Sequence, residues 1–96
     1  MQGTYAVTFA WNDDPPRMGC LDLLDEGFTL ESGLGRDRLI RFNDAQAISE
    51  AHGGDRIRGM DTVILRFSPA SQLRIALMGL AALTGLPVAL AEAAAP

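Results

Sequence analysis

The chain of 96 residues has few side chains that could carry out chemistry. It contains one cysteine and one histidine, and its eight basic residues are all arginine. A lone cysteine, Cys20, excludes a disulfide within the chain. Only Cys20 and His52 could form a nucleophile–base pair, and Cys20 lies in a predicted strand, where a thiol is commonly buried and inert. The sequence therefore predicts a protein that is not an enzyme.

Metal and nucleotide motifs are also missing from the sequence. One cysteine and one histidine cannot complete a zinc site. The acidic groups at residues 13–14 and 22–26 lack the spacing of a calcium-binding loop. The glycines of residues 33–35 are too close together for a nucleotide-binding fingerprint, and no predicted helix follows them. We therefore expect neither a metal nor a cofactor.

The charge of the chain restricts its partners. The formal net charge is −4, and the isoelectric point is about 4.7. Neutralising phosphates requires a surplus of cations, so no nucleic-acid partner is predicted, and contact with an anionic membrane is disfavoured. The first residues show no basic segment followed by an apolar run. Together with the lone cysteine, this predicts a cytoplasmic protein.

Strand-like alternation runs through most of the chain. In residues 4–11 the larger apolar side chains occupy every second position, which is the pattern of a strand with one buried face. Residues 19–32 predict a two-stranded hairpin, and the runs 62–67 and 72–78 should also pair. The predicted strands cover residues 4–11, 17–24, 28–31, 40–44, 45–51, 62–67 and 72–78. We expect one mainly β domain comprising residues 1–96.

Turn signals separate these runs. Residues 12–16 contain two prolines, which remove backbone donors and end the first strand. A tight hairpin turn is predicted at residues 25–27, where Gly27 is free to adopt a positive φ. Residues 32–37 are predicted to form a loop, and residues 52–55 a turn. Residues 56–58 fit either a strand or a loop.

The C-terminal apolar stretch supports competing interpretations. Residues 75–91 carry no charge, which just reaches the lower limit of about 17 residues for a membrane span. The same stretch also resembles a signal peptide at the wrong end of the chain. Glycine, threonine and proline interrupt it, however, which favours a soluble strand, a bend at residues 79–86 and a helix from about Leu86 or Pro87 to Ala94.

This order of elements resembles the pleckstrin-homology-like superfold, in particular its short stand-alone bacterial members. The likeness is carried by the residues that correspond to strands of such domains, namely 19–30, 39–48, 63–67 and 73–77. The resemblance implies a barrel of about seven antiparallel strands in two near-orthogonal sheets, with one end capped by the C-terminal α-helix.

The best-known activity of that family is phosphoinositide binding, which depends on a basic motif at the first inter-strand loop. The corresponding residues here, 12–17, contain two aspartates and one arginine, so the motif fails at its main positions. The family's eukaryotic members also have a tryptophan in the terminal helix, whereas Trp11 lies in the first strand. Arg17, Arg36 and Arg38 remain the candidates for binding an anionic ligand, because the resemblance places their loops at one end of the barrel.

Two classes of function remain open. The first is a non-catalytic interaction or scaffolding module, which binds a protein partner or itself through an exposed strand edge or the groove beside the helix. The second is a β-barrel that binds a small ligand or lipid. An apolar pocket of roughly 300 Å³ or more would favour the second class. A filled core with an exposed edge would favour the first.

Overall fold

The computed structural model describes residues 3–33 and 35–79. These residues form eight β-strands that all pair in antiparallel fashion. In chain order the strands are β1 (Gly3–Trp11), β2 (Arg17–Leu23), β3 (Gly27–Ser32), β4 (Gly35–Arg36), β5 (Ile40–Arg41), β6 (Ala47–Glu50), β7 (Thr62–Ser68) and β8 (Ser71–Leu77). The predicted hairpins at residues 19–32 and 62–78 are therefore confirmed.

The first and last of these strands pair at the centre of the sheet. The strand order is β4-β3-β2-β1-β8-β7-β6, and β5 also pairs with β3. Val7 lies opposite Leu77, and Trp11 lies opposite Leu73. The pairing extends past β1, because the Asn12 N–H donates to the Gln72 carbonyl and the Gln72 N–H donates to the Asn12 Oδ1, both at 2.9 Å.

The predicted capped barrel is wrong. No described strand joins β6 to the β4 and β5 side of the sheet, so the sheet is open. The chain between β5 and β6 forms a 3₁₀ turn at Phe42–Asp44 instead of continuing the predicted strand, which leaves the two ends without a shared ladder of hydrogen bonds. Helical structure in residues 3–33 and 35–79 consists of short 3₁₀ turns, with no α-helix. The predicted terminal helix lies outside the described residues.

One face of the sheet carries the main core. Alternate residues of β1, β2, β3, β7 and β8 point to this face, as the period of a strand requires. Its buried members are Val7, Phe9, Leu21, Leu23, Phe28, Leu30, Phe42, Val63, Leu65, Leu73, Ile75 and Leu77. Trp11 and Phe67 pack at its margin with ring centroids 5.9 Å apart. The predicted inward faces of the 17–24, 28–31 and 62–67 strands are therefore confirmed.

A smaller apolar cluster covers the opposite face at the centre of the sheet. Ala10 and Ala76 are small, and Ile57 packs against them. The Ile57 N–H donates to Thr62 Oγ1 at 3.0 Å, and the Thr62 hydroxyl donates to the Met60 carbonyl at 2.9 Å. Residues 56–58 therefore belong to a loop with 3₁₀ turns, which settles the alternative that the sequence left open.

The outer edge of β3 is closed by an interrupted strand. Glu31 lies opposite Arg36 in β4, and Phe28 lies opposite Ile40 in β5, so the register shifts by one residue between the two short strands. The Asp37 N–H donates to the Leu30 carbonyl at 2.7 Å within this interruption. The expected loop at residues 32–37 thus contains β4, and the irregularity is typical of edge strands that resist further pairing.

No helix of the described residues has the length and apolar character needed to cross a bilayer. The greater part of the uncharged stretch, residues 80–91, lies outside the described residues.

Gly27 permits the close approach of β3 and β5. Its φ is not among the positive values, so conformational freedom is not its role. A β-carbon at this position would overlap the backbone carbonyl of Ile40. We expect Gly27→Ala to lower the free energy of unfolding by about 1–3 kcal/mol, because the two strands must move apart. Denaturant unfolding measures this loss. Gly54→Ala is the control, since its β-carbon would meet no atom, and equal effects would contradict the close approach.

The faces of β7 give a second test. Leu65 is fully buried, Phe67 is half-buried and Arg66 is exposed. Leu65→Ala should lower the free energy of unfolding by about 2–5 kcal/mol. Phe67→Ala should lower it by less than the loss expected for a fully buried phenylalanine, which is about 3–5 kcal/mol. Arg66→Ala should change it by less than about 0.5 kcal/mol. Thermal or denaturant unfolding of the three variants measures these changes. Equal losses of stability in all three would contradict the assigned faces.

Candidate functional site at the edge of the sheet

The three arginines that the sequence singled out lie in different environments. Arg36 bonds to Glu31, with its Nη2 2.7 Å from Oε2 and its Nε at 3.0 Å, and it lies 3.7 Å from Asp22. The hydrogen bond and the negative charge of Glu31 raise the pKa of Arg36. Arg17 begins β2 and is half-buried, and Arg38 is exposed between β4 and β5. Neither of these two has an ion pair within the described part of the chain.

The register of the sheet does not gather these arginines at one point. Arg36 lies opposite Glu31, which in turn lies opposite Cys20, three positions along β2 from Arg17. Three positions span about 10 Å along a strand. The Arg36 side chain extends toward Asp22, farther still from Arg17. The arrangement favours surface ion pairing of Arg36 over a shared anion site.

We expect the protein to bind phosphoinositide-containing vesicles weakly and to dissociate from them at physiological salt. Arg36 is engaged by carboxylates, and the loop beside Arg17 contributes Asp13 and Asp14, which repel a phosphate. Vesicle sedimentation with and without phosphoinositide checks this at two salt concentrations. Saturable binding that is selective for the headgroup at physiological salt would contradict the expectation.

Three clefts of the described residues are open to solvent, and two of them have mainly polar linings. One of about 560 Å³ lies between the end of β1 and the turn that joins β7 to β8, another of about 210 Å³ lies beside the end of β6, and a third of about 290 Å³ lies beside Arg36. The largest is lined by Asn12, Asp13, Arg66, Pro69, Ala70, Ser71 and Gln72. The cleft beside Arg36 has the more apolar lining, but it is open and does not reach roughly 300 Å³, and the other two are mainly polar, so none of the three matches the apolar pocket that a ligand-binding barrel requires. The described residues also contain no cluster of metal-ligating side chains.

The backbone of β6 directs hydrogen-bonding groups away from β7, its one partner among the described strands. Among the described strands β6 pairs with β7 alone, and the Ala51 N–H that follows it donates to the Thr62 carbonyl at 2.8 Å. Backbone groups alternate in direction along an antiparallel strand. The N–H and C=O groups of Ile48 and Glu50 therefore face away from β7, so that two donors and two acceptors lie along this edge.

The side chains of β6 leave this edge accessible. Ala47, Ser49 and Glu50 are exposed, whereas Ile48 is half-buried against the core. Natural edge strands are commonly protected by charged side chains, especially lysine, by proline or by a bulge. β6 has no lysine or proline, its one charged residue is Glu50 at its end, and the register of its four pairs with β7 is regular. Within residues 3–33 and 35–79, no second strand pairs with β6, whereas the β3 edge is covered by β4 and β5.

Sequence reasoning located this strand but not its place in the sheet. The 45–51 run predicts a strand with Ile48 buried; the strand is present as β6, and its Ile48 is half-buried. Its edge position results from the pairing of β8 with both β1 and β7, which no local pattern specifies. The signal that could have drawn attention to it is the absence of lysine and proline from a short β-forming run.

No protein-family model matches the chain, and no curated protein matches it. The resemblance to pleckstrin-homology-like domains therefore stays a prediction.

Proposed function

We propose that the protein is a non-catalytic interaction module that binds an extended segment of a partner protein as an added strand beside β6. The observation that carries this proposal is the outward direction of the Ile48 and Glu50 backbone groups on a regular edge that pairs with no second described strand. Added strands gain affinity from main-chain hydrogen bonds and specificity from alternate side chains. Such a site needs no cavity, which suits a small domain whose apolar residues form its core.

The packing of Ile48 supports the same function. Ile48 lies opposite Leu65, which is fully buried, yet Ile48 itself keeps part of its side chain in solvent. A strand added beside β6 would place a side chain next to Ile48 on the core face. That contact would extend the core by one strand and remove apolar surface from water.

Glu50→Pro tests the proposal, because proline removes the outward N–H of Glu50 but none of the bonds between β6 and β7. Glu50→Ala is the matched control, since it removes the same side chain and keeps the N–H. The wild type and Glu50→Ala should both capture partner proteins from an extract of the native cell. We expect the same partners to bind Glu50→Pro at least about tenfold more weakly, which corresponds to the loss of about 1.4 kcal/mol of binding free energy.

Two further measurements make this experiment decisive. The melting temperature of Glu50→Pro should match that of Glu50→Ala, which shows that the fold persists. Amide exchange at Ile48 and Glu50 should slow in the purified complex of the wild type, because a paired strand protects outward amides. Retention of the same partner by Glu50→Pro, or unchanged exchange at both amides, would overturn the proposal.

A further inference from the structure

We infer that the partner segment runs antiparallel to β6 and carries, in its own chain order, a basic residue, a spacer, an apolar residue and an acidic residue. This inference rests on the proposed function and specifies the chemistry of the partner. It follows from the side chains that lie beside the outward backbone groups of β6. Three of these side chains belong to β6 itself, and the fourth belongs to β7; they are Ala47, Ile48, Glu50 and Arg66.

The antiparallel orientation follows from the rest of the sheet. Every pairing among the described strands is antiparallel, and antiparallel pairs are slightly more stable per residue than parallel ones. A segment running opposite to β6 meets its positions in reverse. Its successive residues therefore lie opposite Glu50, Ser49, Ile48 and Ala47.

Ile48 selects the apolar position. Its side chain lies on the core face beside Leu65, and a directly opposite residue on an added strand would have its β-carbon about 4.5–5.5 Å away. A valine or isoleucine there would cover the exposed part of Ile48. A charged residue there would lose hydration against an apolar neighbour without gaining a partner.

Arg66 selects the acidic position. It lies opposite Ala47, is exposed, and has no ion pair within the described part of the chain. Asp13 lines the same cleft as Arg66 but forms no ion pair with it. Two cross-strand steps place the β-carbon of a residue opposite Ala47 about 10 Å from that of Arg66. An arginine and a glutamate together can span this distance, because the methyl group of Ala47 does not block the path.

Glu50 selects the basic position. Its side chain is exposed and lines the cleft beside the end of β6. The nearby Arg56 does not neutralise it, since Arg56 is bonded to Asp61 at 2.9 Å and to the Met60 carbonyl at 3.1 Å. A lysine or arginine opposite Glu50 would complete a cross-strand pair of opposite charge.

A pair of peptides with identical composition tests the charge order. The probe is acetyl-Ser-Lys-Thr-Val-Glu-Ser-amide, and its control has the lysine and glutamate exchanged. Titration into the isotopically labelled full chain, followed by nuclear magnetic resonance, should shift the Ile48 and Glu50 amides. At low salt we expect the probe to bind about five- to tenfold more tightly than the control, and the difference should shrink as salt is raised.

A charge-exchanged protein provides the decisive comparison. Glu50→Lys combined with Arg66→Glu alters two exposed side chains and should reverse the preference, so that the control peptide binds more tightly. Equal binding of both peptides to the wild type, an unchanged preference in the double variant, or no shift of the two amides at millimolar peptide would overturn the inference. The proposed function is decided separately, because the comparison of Glu50→Pro with Glu50→Ala does not depend on charge order.

Discussion

The pairing of β1 with β8 is the constraint on which the rest of the sheet depends. β1 holds the β2–β3 hairpin on one side, and β8 holds β7 and β6 on the other. Each half alone would expose one face of its apolar residues, since the main core draws side chains from both halves. Joining the halves edge to edge lets Phe9 and Ile75 lie opposite each other, and it buries Ala10 and Ala76 on the reverse face.

The two outer edges of the sheet differ because their neighbouring segments differ. Beyond β3, residues 35–41 return along the strand with a one-residue shift, and Gly27 allows the backbone to approach closely. Beyond β6, the next residues turn away into the loop that carries Ile57 to the opposite face. The same loop that shields the centre of the sheet therefore leaves the β6 edge uncovered by any described strand. In the described part of the sheet, this asymmetry makes β6 the candidate edge for an added strand.

Local patterns predicted most strands because alternation depends only on neighbours in sequence. The 4–11 and 62–67 runs are strongly alternating, and both form strands with the expected faces. β4 was missed because Gly35 and Arg36 have no apolar period, and their pairing depends on the backbone of β3. The predicted barrel failed because closure is a property of the two edges together. The edge position of β6 depends on the order of all the strands, which local patterns do not contain. The role of the candidate arginines could not be assigned from sequence, because Glu31 and Asp22 become neighbours of Arg36 only in the folded sheet.

The central pairing of β1 and β8 also sets the order in which the chain can fold. The β1–β2 and β2–β3 hairpins join residues close in sequence and can form as soon as they are synthesised. The pairing of β1 with β8 forms later, because Val7 and its partner Leu77 are far apart in sequence. Closing so long a loop is slow, because its entropic cost precedes the contacts that offset it. Until then the edge of β1 that later pairs with β8 is unpaired. The nascent protein thus exposes to aggregation an edge of a strand that lies at the centre of the finished sheet.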